Sequence, residues 1–187
     1  MSRNLQPELD QLLADIPLPE NMNLADARAF LEEYLISTQA GEQLFVTINE
    51  EGLPTKASTV KPSNLKFNLG GVLMEVLQHY AKLSGTKDSK ITLLLLAINF
   101  LQKMKKLAAL NVSLTEAKVL LAIYRLINER DTITIDHLQE VIGNDLSDDQ
   151  IKNALANLER LNCITVTMAG ITLNELISIE IAASQEG

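Results

Sequence analysis

The chain has 187 residues, of which 47% are hydrophobic and 21% are charged, so it can bury a core and is not a disordered protein. Its net charge is −8, and its single cysteine, Cys163, excludes an intramolecular disulfide and favours a reducing compartment. Because the N-terminus lacks a secretory pattern and the most apolar run, residues 91–101, is far short of the roughly 20 residues of a membrane span, we expect a cytoplasmic protein without a membrane association.

The charges are distributed unevenly along the chain. Residues 1–51 carry two basic and ten acidic side chains, and residues 119–187 carry four basic and eleven acidic ones. Between them, residues 52–118 carry ten lysines and three acidic side chains. This pattern predicts either a surface that faces a polyanion or a middle segment that folds against the two acidic ends and partly neutralises them.

The first part of the chain is predicted to be helical with one possible β-hairpin. A short helix is expected over residues 5–15, and Asn23 is expected to cap a second helix from Leu24 to about Thr38. Residues 43–60 combine two extended stretches with a turn-forming Glu-Glu-Gly sequence, which predicts the hairpin.

Two further helices are predicted before residue 110. The stripe of apolar residues over 71–83 has a 3.6-residue period and indicates an amphipathic helix. The next helix is predicted over 89–110 and is apolar on nearly every face at its start. Since such a helix must be covered, we expect it in the domain centre or at a subunit interface.

The stretch from 113 to 175 reads as helix, short strand, short helix, helix and two strands. Its first helix is predicted from Ser113 or Thr115 to about Glu129. A short strand over 132–135 follows, and Asp136 is then expected to cap a helix of about two turns.

The end of this stretch has the clearest local signals. Ser147 is followed three residues later by Gln150, which is a capping-box pattern and predicts a helix to about Leu161. A strand is expected over 163–168, and a two-residue turn at Ala169-Gly170 leads into a returning strand.

This order of elements, together with the phrase NALANLERLNCITV, resembles the winged helix-turn-helix regulators of the MarR-like type. The resemblance implies a fold that is mainly α with a small β component. We expect a helical region over 1–110, with the possible hairpin at about 43–60, and a winged-helix domain over 111–187. We also expect a homodimer.

In such domains the N-terminal part of the second helix of the motif reads the major groove of DNA. Here that surface begins with Asp148 and Asp149, which would oppose phosphates, and the wing tip around Met168 is uncharged. Four other residues of this helix are chemically able to contact DNA: Lys152, Asn153, Asn157 and Arg160. Phosphate contacts are instead expected from the lysine-rich central segment, at Lys56, Lys61, Lys66, Lys82, Lys87 and Lys90.

These observations favour a non-catalytic transcription regulator that binds double-stranded DNA through the lysine-rich central segment. The alternative is an adaptor that has lost the DNA contacts and binds a protein partner through an acidic surface. We expect no enzyme activity, cofactor or metal, because His79, His137 and Cys163 match no zinc signature and the acidic pairs are adjacent in sequence. Gly70-Gly71 could expose N–H groups to an anion, but a flexible start to a helix is the simpler interpretation.

Overall fold

The computed structural model describes residues 10, 11, 13–18, 22–37, 45–48, 54–57, 65–82, 89–107 and 109–179. Within these residues the chain is mainly helical with a small antiparallel β component, so the predicted fold class is confirmed at that level. The helices are α1 (Leu24–Glu33), α2 (Leu69–Lys82), α3 (Ser89–Met104), α4 (Leu114–Ile127), α5 (Ile135–Ile142) and α6 (Asp148–Arg160), with a 3-10 turn at Gly143–Asp145 after α5. The strands are β1 (Leu35–Ser37), β2 (Phe45–Ile48), β3 (Pro54–Ala57), β4 (Leu65–Asn68), β5 (Ile164–Thr167), β6 (Gly170–Leu173) and β7 (Leu176–Ile179).

The strands form three antiparallel groups. β2 pairs with β3 in the stretch where the sequence predicts a hairpin, and β5 pairs with β6. The third group is a sheet with the order β1–β4–β7, in which Phe67 lies opposite both Leu35 and Ile177. Its last strand comes from the end of the described chain and its other two strands come from the first 68 residues, so one sheet joins the two halves of the protein.

Helix α4 lies at the centre of the packing. It contacts α2, α3, α5, α6 and β6, and five of its apolar side chains are completely buried: Ala117, Val119, Leu120, Ile123 and Leu126. Helix α3 supplies Leu94 and Ile98, which are also fully buried. The prediction that the apolar run of α3 belongs to the central core is therefore confirmed within a single chain.

Two helices end earlier than the sequence predicts. Helix α1 stops at Glu33 and not near Thr38, because Leu35–Ser37 pair with β4 and gain a strand partner that local helical spacing does not reveal. Helix α3 stops at Met104 and not at Leu110, and Lys106 adopts a left-handed φ of 54°. The side-chain amide of Gln102 stabilises this turn by donating to the carbonyl of Leu110 at 2.5 Å.

The predicted strand over 132–135 is reduced to one bridge between Ile133 and Ile171. The reason is that Thr134 is the N-cap of α5, in place of the predicted Asp136, and its hydroxyl accepts from the backbone N–H of His137 at 3.4 Å. The chain therefore turns into the helix immediately after the bridge.

The turn between β5 and β6 comprises Met168 and Ala169, one residue earlier than predicted. Gly170 begins β6 with a φ of 138°, which disfavours any other residue type. A Cβ atom at this position would also lie 2.8 Å from Cγ2 of Thr132 and 2.9 Å from the carbonyl oxygen of Ile133. A glycine is required where the bridge and the hairpin meet.

Candidate interaction surface on α5 and α6

Helix α6 begins at the capping box that the sequence predicts. The Ser147 hydroxyl accepts from the N–H of Gln150 at 3.3 Å, and the Gln150 side chain accepts from the N–H of Ser147 at 2.8 Å. The apolar stripe of this helix, which packs against α4, is buried and comprises Ile151, Ala154, Leu155 and Leu158. Because one face is fixed in the core, the opposite face is presented to solvent in a defined orientation.

The exposed face of α6 holds three of the four residues of this helix that the sequence assigns to DNA contact. Lys152, Asn153 and Arg160 are exposed there, on the same helix as the exposed Asp148 and Asp149. The two aspartates occupy the first turn, where carboxylates are favoured by the helix dipole. The exposed residues of α6 that could bind DNA thus share a helix with two exposed negative charges in its first turn.

Carboxylates from α5 and the 3-10 turn extend this negative region. We define the acidic surface as the set of exposed carboxylates Asp136, Glu140, Asp145, Asp148 and Asp149. The carboxylate of Asp148 accepts from the side-chain amide of Gln139 in α5 at 2.5 Å, which ties the two helices together at the surface. The acidic surface therefore has members on α5, on the 3-10 turn and in the first turn of α6.

Basic residues contact this surface and other acidic parts of the chain. Arg130 lies 3.0 Å from Glu140, and Lys118 lies 3.9 Å from Asp145. In the N-terminal part of the chain, Asp15 lies 3.9 Å from Lys103. Lys103 and Lys118 belong to the basic middle of the sequence, so these two pairs support the interpretation that this middle segment meets both acidic ends. As exposed pairs they contribute little to stability.

Asn157 has an internal partner. It is half-buried, and its side-chain amide donates to a carboxylate oxygen of Glu116 at 2.8 Å, across the contact between α4 and α6. Glu116 is only 4% exposed and also accepts from the backbone N–H and the hydroxyl of Ser113, at 2.8 and 2.6 Å. Asn157 therefore holds α6 onto α4, and a base contact would compete with that bond.

The same contacts control the ionisation of Glu116. Burial alone would raise the pKa of its carboxyl, but the hydrogen bonds from the Ser113 side chain, from Asn157 and from backbone N–H groups together lower the pKa below its ordinary value. Glu116 is thus a buried carboxylate that stays ionised. The sequence pattern Ser113-x-x-Glu116 signals the capping box, but it does not reveal the bond to Asn157, which is 41 residues away.

The lysine-rich central segment is described only in part. Lys66 lies on β4, half-buried, and is paired across the sheet with Ile36 and Ser178 on the outward side. The other backbone positions that the structure gives are Lys56 on β3, Lys82 at the end of α2 and Lys90 near the start of α3. Lys61 and Lys87 lie outside the described residues.

The glycine pair at the start of α2 does not present free N–H groups to an anion. The N–H of Gly71 donates to the side-chain oxygen of Asn68 at 2.9 Å, and the N–H of Gly70 donates to the carbonyl of Glu175 at 3.1 Å. The protein itself therefore occupies the donors that an anion would need.

The β5–β6 hairpin projects an apolar tip. Met168 is fully exposed and Val166 is 39% exposed. The N–H of Val166 donates to the carboxylate of Glu159 in α6 at 3.1 Å, which fixes the hairpin next to the exposed face of that helix. The tip consists of Met168 and Ala169, so it carries no charge.

Cys163 and His137 have structural surroundings. Cys163 is completely buried, and desolvation raises the pKa of its thiol to about 12, which disfavours the nucleophilic thiolate. The ring nitrogen Nδ1 of His137 accepts from the N–H of Thr134 at 3.3 Å as part of the capping box of α5. Both residues are accounted for by the packing and capping of the fold.

Among the described residues no cluster of His, Cys, Asp or Glu is arranged to hold a metal ion. No helix in the described part of the chain is both long and apolar enough to cross a membrane. Comparison with models of protein families, with curated proteins and with solved structures finds no match for this chain.

Proposed function

We propose that this chain is a non-catalytic winged-helix adaptor that binds a basic protein partner through the acidic surface of α5 and α6. The winged-helix part of the proposal is supported by the order of α4, the bridge at Ile133, α5, α6 and the β5–β6 hairpin. The bridge places Ile133 beside β6, on the edge opposite to β5. A winged-helix fold is expected to have this strand arrangement.

The observation that carries the choice of partner is the pair of exposed aspartates in the first turn of α6. In a helix-turn-helix docked on DNA, the N-terminal residues of this helix approach the major groove. Asp148 and Asp149 would meet phosphates there, whereas DNA affinity depends on neutralising phosphates. The same charges are complementary to a basic protein surface.

Two further observations, at Asn157 and at Met168, support a protein partner over DNA. Asn157 is engaged with Glu116, so the middle of α6 loses one of its candidate base contacts. The tip of the hairpin offers the exposed Met168, which suits an apolar pocket better than a phosphate backbone. A partner with lysines or arginines around a small apolar site would match both features.

Photo-crosslinking tests this proposal directly. A photoreactive residue replacing the exposed Asn153 should crosslink one discrete basic protein in an extract of the source cells, and the crosslink should weaken with added salt. The matched control places the same residue at Gln78, which is exposed on α2. Reversing both charges, in the double variant Asp148→Lys and Asp149→Lys, should abolish the crosslink. A crosslink that survives this reversal would refute recognition by the acidic surface.

The second candidate is DNA binding through the lysine-rich central segment. The excess of ten lysines over three acidic residues in 52–118 favours it. Fluorescence anisotropy with a labelled random-sequence duplex separates the two functions. The adaptor proposal predicts that the wild-type protein does not bind the duplex even at low salt. Saturable binding with a log–log salt slope of about −0.9 per neutralised phosphate would establish the DNA function instead.

A further inference from the structure

Two consecutive residues connect the C-terminal hairpin to the sheet that joins the two halves of the described fold. Strand β6 belongs to the β5–β6 hairpin, and strand β7 belongs to the sheet with β1 and β4. Only Asn174 and Glu175 separate these two strands. We call this pair the elbow.

Asn174 attaches the elbow to the connection between α6 and β5. Its N–H donates to the carbonyl of Cys163 at 2.9 Å, and its side-chain amide donates to the carbonyl of Asn162 at 3.1 Å. Asn162 is itself held in a left-handed conformation, with a φ of 60°. This end of the elbow therefore follows the position of the hairpin and of the last turn of α6.

Glu175 attaches the elbow to the start of α2. Its carbonyl accepts from the N–H of Gly70 at 3.1 Å, and a Cβ atom at Gly70 would lie only 3.0 Å from the Cβ of Glu175. The next residue, Leu176, lies opposite Asn68 in the sheet. Asn68 in turn accepts from Gly71 through its side chain and donates its N–H to the carbonyl of Tyr34 at 2.8 Å. This end of the elbow is therefore fixed to the sheet and to the start of α2.

We propose that the elbow is a rigid coupling that transmits displacement between the start of α2 and the β5–β6 hairpin. The two attachment points are on adjacent residues, whose Cα atoms are about 3.8 Å apart across a planar peptide bond. Domains that move independently are joined by flexible linkers with few contacts, and the elbow has neither property. A molecule that shifts α2 or its sheet therefore shifts the β5–β6 hairpin.

Amide hydrogen exchange on the full chain tests the coupling without any partner. Gly70→Ala adds a methyl group against Glu175, and Met74→Ala, at an exposed site on the same helix, is the control. We expect exchange at the Ile171 and Asn174 amides to become about fivefold faster or more in Gly70→Ala, in the usual range of coupling between sites. Unchanged exchange at both amides, with faster exchange confined to α2 and β7, would overturn the coupling.

The reverse perturbation decides the question if Gly70→Ala unfolds the protein. Asn174→Ala removes the side-chain bond to Asn162, and Thr172→Ala, on the same hairpin, is its control. Since coupling is reciprocal, the amides of Gly70 and Asn68 should exchange faster in Asn174→Ala and not in Thr172→Ala. Wild-type exchange at both amides would refute the proposal and would leave the proposed partner site unaffected.

Discussion

The carboxylate of Glu116 and the side-chain amide of Asn157 lie 2.8 Å apart and join the first turn of α4 to the middle of α6. The bond is partly buried, and its acceptor is ionised. It therefore belongs to the class of charge-assisted hydrogen bonds, which are stronger than neutral ones. The orientation of the acidic surface depends on this contact as well as on the apolar packing beneath it.

Replacing Asn157 by Ala should destabilise the protein by about 1–3 kcal/mol, because Glu116 would lose a donor while remaining buried. Urea unfolding measures the change. The matched control is Asn153→Ala on the exposed face of the same helix, for which we expect a change within about 0.5 kcal/mol. Equal effects at the two positions would mean that the Glu116 contact contributes nothing.

The lowered pKa of Glu116 predicts the direction of one pH effect. The carboxylate is favoured in the folded state, so its contribution to stability is complete above the ordinary pKa near 4.5 and is lost as the pH falls through the lower folded-state value. The free energy of unfolding should therefore fall more steeply below that pH in the wild-type protein than in Glu116→Gln. Parallel pH profiles for the two proteins would contradict this assignment.

Leu158→Ala should destabilise by about 2–5 kcal/mol, since Leu158 is completely buried between α6 and its neighbours. Arg160→Ala, two residues later and exposed, is the control and should change the stability by no more than about 0.5 kcal/mol. Denaturant unfolding of both variants provides the comparison. A change at Leu158 as small as that at Arg160 would contradict the assignment of Leu158 to the buried core.

Reversing the charges at Asp148 and Asp149 should create affinity for DNA. The double change to lysine removes two repulsive charges and adds two attractive ones beside Lys152 and Arg160. It should also cost roughly 0.3–1 kcal/mol of stability per residue, because acids in a first turn favour the helix dipole. Anisotropy with a random duplex measures the gain, and Asp26→Lys, in the first turn of α1, controls for net charge when it is compared with the single variant Asp148→Lys. Equal gains in these two single variants would show that position on α6 is irrelevant.

Cys163 should react with a thiol reagent only when the native structure opens. Its thiol is completely buried, and desolvation raises its pKa to about 12. Labelling of the native protein should therefore be slow and should accelerate with denaturant, whereas Thr165→Cys, at an exposed position two residues later, should label at once. Fast labelling of Cys163 in the native state would contradict its burial.

Local signals in the sequence predict the helices well. The capping box at Ser147 and the buried stripe of α6 are both confirmed, because the residues involved are at most four positions apart along the chain. The same holds for the buried α3, whose composition alone requires it to be covered. Interactions within one helical turn involve residues that are close in sequence, so local sequence patterns predict them.

Contacts between distant residues are the part that the sequence does not reveal. Neither β4 nor β7 is predicted, because the partner of each strand is remote in sequence, as Phe67 and Ile177 illustrate. The role of Asn157 is missed for the same reason, since its polar side chain on a mostly exposed helix suggests solvent or DNA, and Glu116 supplies the partner only in three dimensions. Sheet pairing also explains why α1 ends before its helical pattern does.

The bond from the N–H of Val166 to the carboxylate of Glu159 has a consequence for solubility. β5 is paired on one side with β6, and a free N–H on its other side would invite the strand of another molecule to add to the sheet. The carboxylate of Glu159 accepts from that N–H, and its negative charge repels the backbone carbonyl of an approaching strand. The side chain that positions the hairpin thus also opposes the addition of a second strand at this edge of β5.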